Sequence, residues 1–270
     1  MSYVKIGTLK IGNDADYLFK GITDSASGDV NRRTAEYVGV DGCDYADITY
    51  TPRTVSVKGF FQGKTLSETE ALKSALIIAC DSKKATDIIY NNGVNDYYAS
   101  AYCELPVFSK VNNRAYEFTV RFDINRFWWQ SGQEIITGVY VRDGNIYGAF
   151  SLPRAFTVRT QGADIRNNGH AEAPPMFKIN VSEGFTDDIE IKNVTYGKMI
   201  KLAGYTAATG EIITIDCDEC TVSSTVNGNI VSYLSDDSEF FKIPLGYSRI
   251  ECAKKGLTLS CVWRERFLGV

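Results

Sequence analysis

Cys217 and Cys220 stand in the C-x-x-C spacing that gives a tetrahedral zinc two of its four thiolates. Two more ligands would be needed. Cys252 and Cys261 have eight residues between them and form no second knuckle, and Asp216, Asp218 and Glu219 crowd the first pair. These cysteines read as small buried or edge residues in strands. His170 is the only histidine, in the turn-forming stretch Asn167-Asn168-Gly169. One histidine excludes a His pair, a three-His metal site and a His relay, and any Ser-His-Asp or Cys-His centre would have to be built around this surface-loop residue. Carboxylates cluster at Asp187-Asp188, Asp216/Asp218 and Asp236-Asp237. Glycosidase work needs two carboxyls facing each other across a cleft, and calcium needs a ring of oxygens. Runs such as Ser235-Asp236-Asp237-Ser238-Glu239 read instead as solvated turns. The chain has no Gly-x-Ser-x-Gly elbow, phosphate loop or dinucleotide fingerprint. The expectation is no catalytic residue, no metal and no cofactor: not an enzyme.

Phe127-Trp128-Trp129 admits two readings. Flat rings stack on sugar faces and expel water, which would make a saccharide platform. The same rings make a hydrophobic seam between domains or subunits. The seam is favoured, because the cluster follows the clearest strand and lies at the expected domain junction.

Strands must position these residues. Tyr116, Phe118, Val120, Phe122 and Ile124 alternate with Glu117, Thr119, Arg121 and Asp123, the period of a half-buried strand. Val55 and Val57 alternate with Thr54, Ser56 and Lys58 in the same way. Ile88–Tyr90, Asn91-Asn92-Gly93 and Tyr97–Cys103 predict a hairpin, as do Val139–Arg142, Asp143-Gly144 and Ile146–Phe150. One helix is expected, over about 68–82. Ser67-x-x-Glu70 reads as its capping box, and Ala71, Leu72, Ala75, Leu76 and Ala79 as its apolar face. Further strands are expected at Phe156–Arg159, Met176–Val181, Ile189–Val194, Met199–Leu202, Glu211–Ile215, Glu239–Pro244, Ser248–Cys252 and Leu257–Trp263. Gly, Asn and Asp clusters separate them at the spacing of a sandwich or jelly roll.

The 270 residues suit two ordinary domains, divided here into 1–134 and 135–270. The fold class is mainly β: two β-sandwich-like domains, the first with a single α-helix. Charge is weak and even, with 16 basic and 18 acidic side chains in residues 1–150 and 13 and 15 in the rest. That balance argues against a nucleic-acid-binding stripe. The longest apolar run, Ala75–Cys80, is far below the roughly 20 residues that span a bilayer. Met1 to Ile11 alternates in polarity and does not read as a signal peptide, so synthesis in the cytosol is expected. Seven cysteines, an odd count, fit reduced thiols there.

The order of signals in the second half carries a resemblance. Asn168-Gly169 precedes Ala173-Pro174-Pro175 and the strand Met176–Asn180. Then come Ile189–Gly197, Ile212-Ile213-Thr214-Ile215-Asp216, Asn227-Gly228 and Asp237–Gly246, followed by Ser248-Arg249-Ile250. This resembles the C-terminal half of the distal tail proteins of long-tailed, non-contractile phages. Tyr247-Ser248 replaces the usual Glu-Asn there, and Leu245 is inserted between Pro244 and Gly246. The Asp41-Gly42 turn, the strand Arg53–Phe61, the helix, the hairpin and Phe127-Trp128 follow the family's N-terminal order.

The resemblance implies a structural role. Family members form a hexameric ring at the tail tip, with an N-terminal ring-forming domain and a galectin-like C-terminal sandwich projecting outward. The implied partners are further copies of the chain, the tail tube protein, the tape-measure protein and the tail hub, fibre or receptor-binding protein. DNA only passes through the lumen, and no membrane insertion is implied. The implied location is the virion tail tip, after assembly in the cytoplasm of the bacterial host. Strand edges such as Met1–Ile11 and Arg53–Phe61, with Val55 and Val57, and the seam Phe127, Trp128 and Trp129 are the candidate interface residues. The alternative is a carbohydrate-binding host-adhesion protein that forms no ring.

Overall fold

The computed structural model describes residues 2–23, 30–35, 41–139, 162–252, 254 and 256–270. It divides into two compact units, Met1–Gln133 with Arg266–Val270, and Glu134–Glu265. The five terminal residues were expected with the second domain. They group with the first because Arg266 and Phe267 pair with Gln130 and Trp129.

The first unit is built from β1 (Tyr3–Ile6), β2 (Leu9–Gly12), β3 (Tyr17–Thr23), β4 (Val30–Ala35), β5 (Asp44–Tyr50), β6 (Arg53–Gln62), α1 (Leu66–Ala79), β7 (Ala85–Asn91), β8 (Asp96–Cys103), β9 (Val107–Asn112), β10 (Ala115–Ile124) and β11 (Trp129–Ser131). The second contains β12 (Ile135–Val139), β13 (Gly162–Asn167), β14 (Met176–Val181), β15 (Phe185–Asn193), β16 (Lys198–Ala207), β17 (Ile212–Asp216), β18 (Thr221–Ser224), β19 (Gly228–Asn229), β20 (Gly246–Cys252) and β21 (Leu257–Trp263). The last strand, β22 (Arg266–Phe267), returns to the first unit.

The first unit's sheet closes on itself. Its order is β22-β11-β8-β7-β1-β2-β3-β6-β10-β9, and a further β8–β10 pairing joins seven of these strands into a ring. The spine is β6 against β10, antiparallel and in unbroken register from Ala115↔Gln62 to Ile124↔Arg53. Period 2 then sends Val55, Val57 and Phe61 inward with Phe118, Val120, Phe122 and Ile124. Gly59 faces Phe118, and a Cβ on Gly59 would lie 2.3 Å from Phe118 Cζ. The glycine leaves that space for the ring.

The capping box is set two residues earlier than expected. Thr65 is the N-cap, and its Oγ1 accepts from the Glu68 amide at 3.1 Å. The Glu68 carboxylate accepts from the Lys64 amide at 2.6 Å. Both T-x-x-E and S-x-x-E occur here, and Thr65-Leu66-Ser67-Glu68 is the one used. Of the expected apolar face, only Leu76 is buried, alongside Thr69, while Ala71 and Ala75 are exposed. Leu76 enters the first unit's core and Leu72 packs against it, so α1 buries a narrow stripe, not a full face.

In the second unit a six-stranded sheet, β12-β21-β14-β17-β18-β19, and a four-stranded one, β13-β20-β15-β16, share one hydrophobic core. Phe177, Ile179, Ile213, Ile215 and Leu259 come from the first sheet and Ile191, Ile200, Leu202 and Ile250 from the second. Each set recurs at every second residue, the signature of a two-sheet sandwich. The strand expected at Glu239–Pro244 is a buried extended segment. Phe241 and Ile243 point into the core, but its only β-bridge is Ala173↔Ile243. Pro244, which lacks an N–H, bounds it. The expected hairpin beyond Val139 and the strand at Phe156–Arg159 lie outside the described residues.

Candidate assembly interface

The residues proposed for a seam divide sharply in the structure. Val55, Val57, Phe127 and Trp129 are buried within the first unit's own packing. Trp128 alone is half-exposed. Strand β6 has partners on both sides, β3 and β10, so its edge is closed to a neighbouring chain.

The open surface lies elsewhere. Strands β4 and β5 form a two-stranded ribbon that pairs with no other strand among the described residues. All seven residues of β5 are exposed, and Tyr45 and Ile48 are 58 % and 57 % accessible. An isolated two-stranded ribbon is marginal in water, so its base must be fixed. Tyr50, the last residue of β5, stacks on Phe127 with centroids 4.3 Å apart and planes 13° apart. It also meets the Trp128 ring edge-on at 5.5 Å. The Arg53 guanidinium lies over the Phe127 ring, 4.4 Å from its centroid, and donates to the Leu268 carbonyl. The Phe127 ring thus touches ribbon foot and β6, and Arg53 ties in the C-terminal tail. It achieves this at φ 61°, a left-handed conformation that is costly for a bulky residue.

Helix α1 supplies a second exposed apolar stripe. Ala71, Ala75 and Ile78 recur at helical spacing on its outer side, and Ile78 is 76 % accessible.

Among the described residues, the chemistry-bearing side chains singled out from the sequence do not converge. Cys217 and Cys220 share a tight turn in which Asp216 Oδ1 accepts from the Asp218 and Glu219 amides at 2.8 and 3.1 Å. Burial pushes the Cys217 thiol up to about 12, the reverse of a metal-ready thiolate. Among the described residues, no three His, Cys, Asp or Glu side chains are placed to hold a metal ion. His170 is exposed. Asp187 bonds to Lys254 and Asp188 to Lys201, and these bonds hold both carboxylates below the usual range. Each is a surface pair, not half of a facing dyad. No helix among the described residues is long and apolar enough to cross a membrane.

Sequence reasoning missed one buried polar cluster. Glu211 is 1 % exposed, and its carboxylate accepts from the Tyr205 and Ser224 hydroxyls and, at 2.7 Å, from the Ala208 amide. Asn227 Nδ2 donates to Tyr205 Oη at 2.8 Å. Burial opposes the charge, but the three donors outweigh it and hold Glu211 below the ordinary glutamate range. These residues fall within 205–227 but are brought together by the pairing of separate strands and turns, so no motif spacing marks them.

A closed-sheet unit with one helix and a two-sheet sandwich define a two-domain, mainly β protein. Family models place it more closely. Residues 4–124 match the phage tail protein RIFT-related domain, and residues 168–267 match the C-terminal domain of the siphovirus-type tail component. The chain belongs to the distal tail protein family of siphoviruses and is a structural component of the phage tail. The fold agrees along its whole length. It is similar to the phage SPP1 Dit protein, solved as "a paradigm of hub adsorption apparatus in Gram-positive infecting phages", at 12 % identity and TM-score 0.74, covering 99 % of both chains. It is also similar to chains of the phage P2 baseplate in its activated conformation with calcium and with strontium. Each has 14 % identity and TM-score 0.54, covering 98 % of this chain and 97 % of the other. No curated protein matches the sequence.

Proposed function

We propose that this chain assembles as a hexameric ring at the tail tip and joins the tail tube to the hub or fibre and receptor-binding components. Its partners would be further copies of itself, the tube protein, the tape-measure protein and the hub. Assembly would take place in the cytoplasm of the bacterial host. The observation that carries this reading is the match of both halves of the chain, in order, to the two domains of the siphovirus tail component.

The physics of ring closure supports it. A ring repeats one heterologous contact, in which one patch meets a different patch on the next copy. The β4–β5 ribbon and the outer stripe of α1 are two such unlike patches, both carrying apolar side chains in water. Large exposed apolar side chains grouped on one element point to a contact. The weak net charge of −4 suits a lumen that must not hold passing DNA.

Native mass spectrometry and negative-stain microscopy of the purified chain, alone and with the tube protein, test the reading. Six-fold rings are expected, and Ile48→Asp or Ile78→Asp should abolish them without lowering the melting temperature. Monomers at every concentration, with the tube protein present, would overturn it.

A further inference from the structure

We infer that the first unit carries a small saccharide-binding cleft with Trp128 in its wall, at the place where the chain crosses from β10 to β11. The cleft has a volume of about 340 Å³, near the low end of the roughly 300–1,000 Å³ range of small-molecule sites. Tyr98, Ser100, Asn125, Arg126, Trp128 and Gln130 contribute to its lining.

The sheet itself makes the opening. Strand β8 changes partner along its length. Tyr97 and Tyr98 pair with Ser131 and Gln130 of β11, while Ala101, Tyr102 and Cys103 pair with β10. Neither of these strands pairs with Ala99 or Ser100. Ala99 points into the barrel core, so Tyr98 and Ser100 face outward by the period of the strand. Gln130 lies directly across from Tyr98 in register, which sets an amide beside an aromatic ring on the outer face. Asn125 and Arg126 follow the end of β10 and form the other side.

Phe127 separates the two aromatic roles of the cluster. Its positive φ turns the chain so that Phe127 and Trp129 are buried while Trp128, between them, remains half-exposed at the cleft. Backbone strain of this kind persists only where the surroundings enforce it, and it collects at functional positions.

The lining has the two characters that a sugar ring presents. An aromatic surface matches a face of C–H groups, and the amides, hydroxyl and guanidinium match the hydroxyls around it. A protein contact of ordinary size buries roughly 800 Å² per partner, far more than this recess offers. The ligand that fits the cleft is therefore one neutral saccharide unit. About a dozen heavy atoms in a half-open cleft support an affinity on the order of 1 mM. The inference does not depend on ring assembly, because every lining residue belongs to one copy.

The three tryptophans provide the test. Trp129 and Trp263 are 0 % and 3 % exposed, so Trp128 dominates the fluorescence accessible to acrylamide. Quenching of the full chain is measured with a panel of glucose, galactose, N-acetylglucosamine, N-acetylgalactosamine and rhamnose. At least one sugar should protect Trp128, with half-saturation on the order of 1 mM. Gln130→Ala and Ser100→Ala lie outside the core, and each should weaken that protection about tenfold, the scale of one lost hydrogen bond. Absence of protection by every sugar overturns the inference. So does protection unchanged in both variants, or protection that follows protein concentration instead of sugar, which would mean that a second copy covers Trp128.

Discussion

Tyr50 and Phe127 stack face to face, with centroids 4.3 Å apart and planes 13° apart, although 77 positions separate them in sequence. Tyr50 is the foot of a ribbon that pairs with no other strand among the described residues, and Phe127 is buried in the turn between β10 and β11. Arg53 completes the contact from β6, three residues beyond Tyr50. The chain leaves the ribbon at Tyr50 and enters the barrel at Arg53, and Phe127 touches both ends of that passage. One strained residue therefore fixes the direction in which the ribbon departs.

Replacing Tyr50 by Ala removes the stack while leaving the barrel ladder intact. Aromatic pairs contribute about 0.5–1.5 kcal/mol beyond their burial. Amides of β4 and β5 should exchange hydrogen faster, with the amides of β6 and β10 unchanged. Hydrogen-exchange mass spectrometry of the two peptides reads this directly. Equal protection in the variant and the parent would mean that the stack does not hold the ribbon.

The strands of the spine were legible because both determinants are local. In Tyr116–Ile124, period 2 and β-branched or aromatic residues agree, and β10 follows that pattern. Met176–Val181 and Leu257–Trp263 were legible in full for the same reason. Boundaries that depend on a choice between equal signals were not, as with the helix start at Thr65 and not Ser67. Glu239–Pro244 alternates like a strand and buries the expected side chains, but a ladder needs a partner, and sequence pattern does not encode one. Phe127-Trp128-Trp129 was legible as a cluster. Which ring faces outward was not, because that follows from a positive φ at Phe127, a conformation without a glycine to announce it.

Gly59→Ala should destabilise the first unit. The added Cβ would sit 2.3 and 2.7 Å from two Phe118 ring atoms and 2.9 Å from the Leu18 carbonyl oxygen. Phe118 is 2 % exposed and cannot swing aside freely. Overpacking of this kind costs about 1–3 kcal/mol. Scanning calorimetry should show a transition lowered by several degrees, and a second change, Phe118→Leu, should restore part of the loss. A Gly59→Ala protein melting at the parent temperature would show that the sheet yields at this point.

The seven cysteines should separate cleanly by reactivity. Cys43 and Cys220 are exposed, whereas Cys80, Cys103, Cys217, Cys252 and Cys261 are buried. Hydrogen bonding to Cys103 and burial push the Cys80 thiol up, and burial does the same for Cys217, Cys252 and Cys261. Brief iodoacetamide treatment of the native chain, followed by peptide mass mapping, should label the two exposed thiols. The other five should react only after denaturant is added. Early modification of Cys217 would contradict the packing of its turn.

Acid should loosen the second unit through Glu211. Its folded carboxyl lies below the ordinary glutamate value because three donors point at it. A lowered folded value means that the stabilisation is present above the unfolded pKa, about 4.3, and is lost as pH falls through the folded value. Asp187, Asp188 and Glu190 shift in the same direction, but their lysine partners lie at the surface, where salt screens them. Urea unfolding in high salt therefore isolates the buried group. The midpoint of the second unit should fall on acidification from neutral pH, and Glu211→Gln should flatten that dependence. The variant should also be less stable at neutral pH, because an amide cannot accept from all three donors, and each buried donor left unsatisfied costs about 1–3 kcal/mol. An unchanged acid slope in Glu211→Gln would mean that the carboxylate is not what holds the Tyr205–Ser224 cluster together.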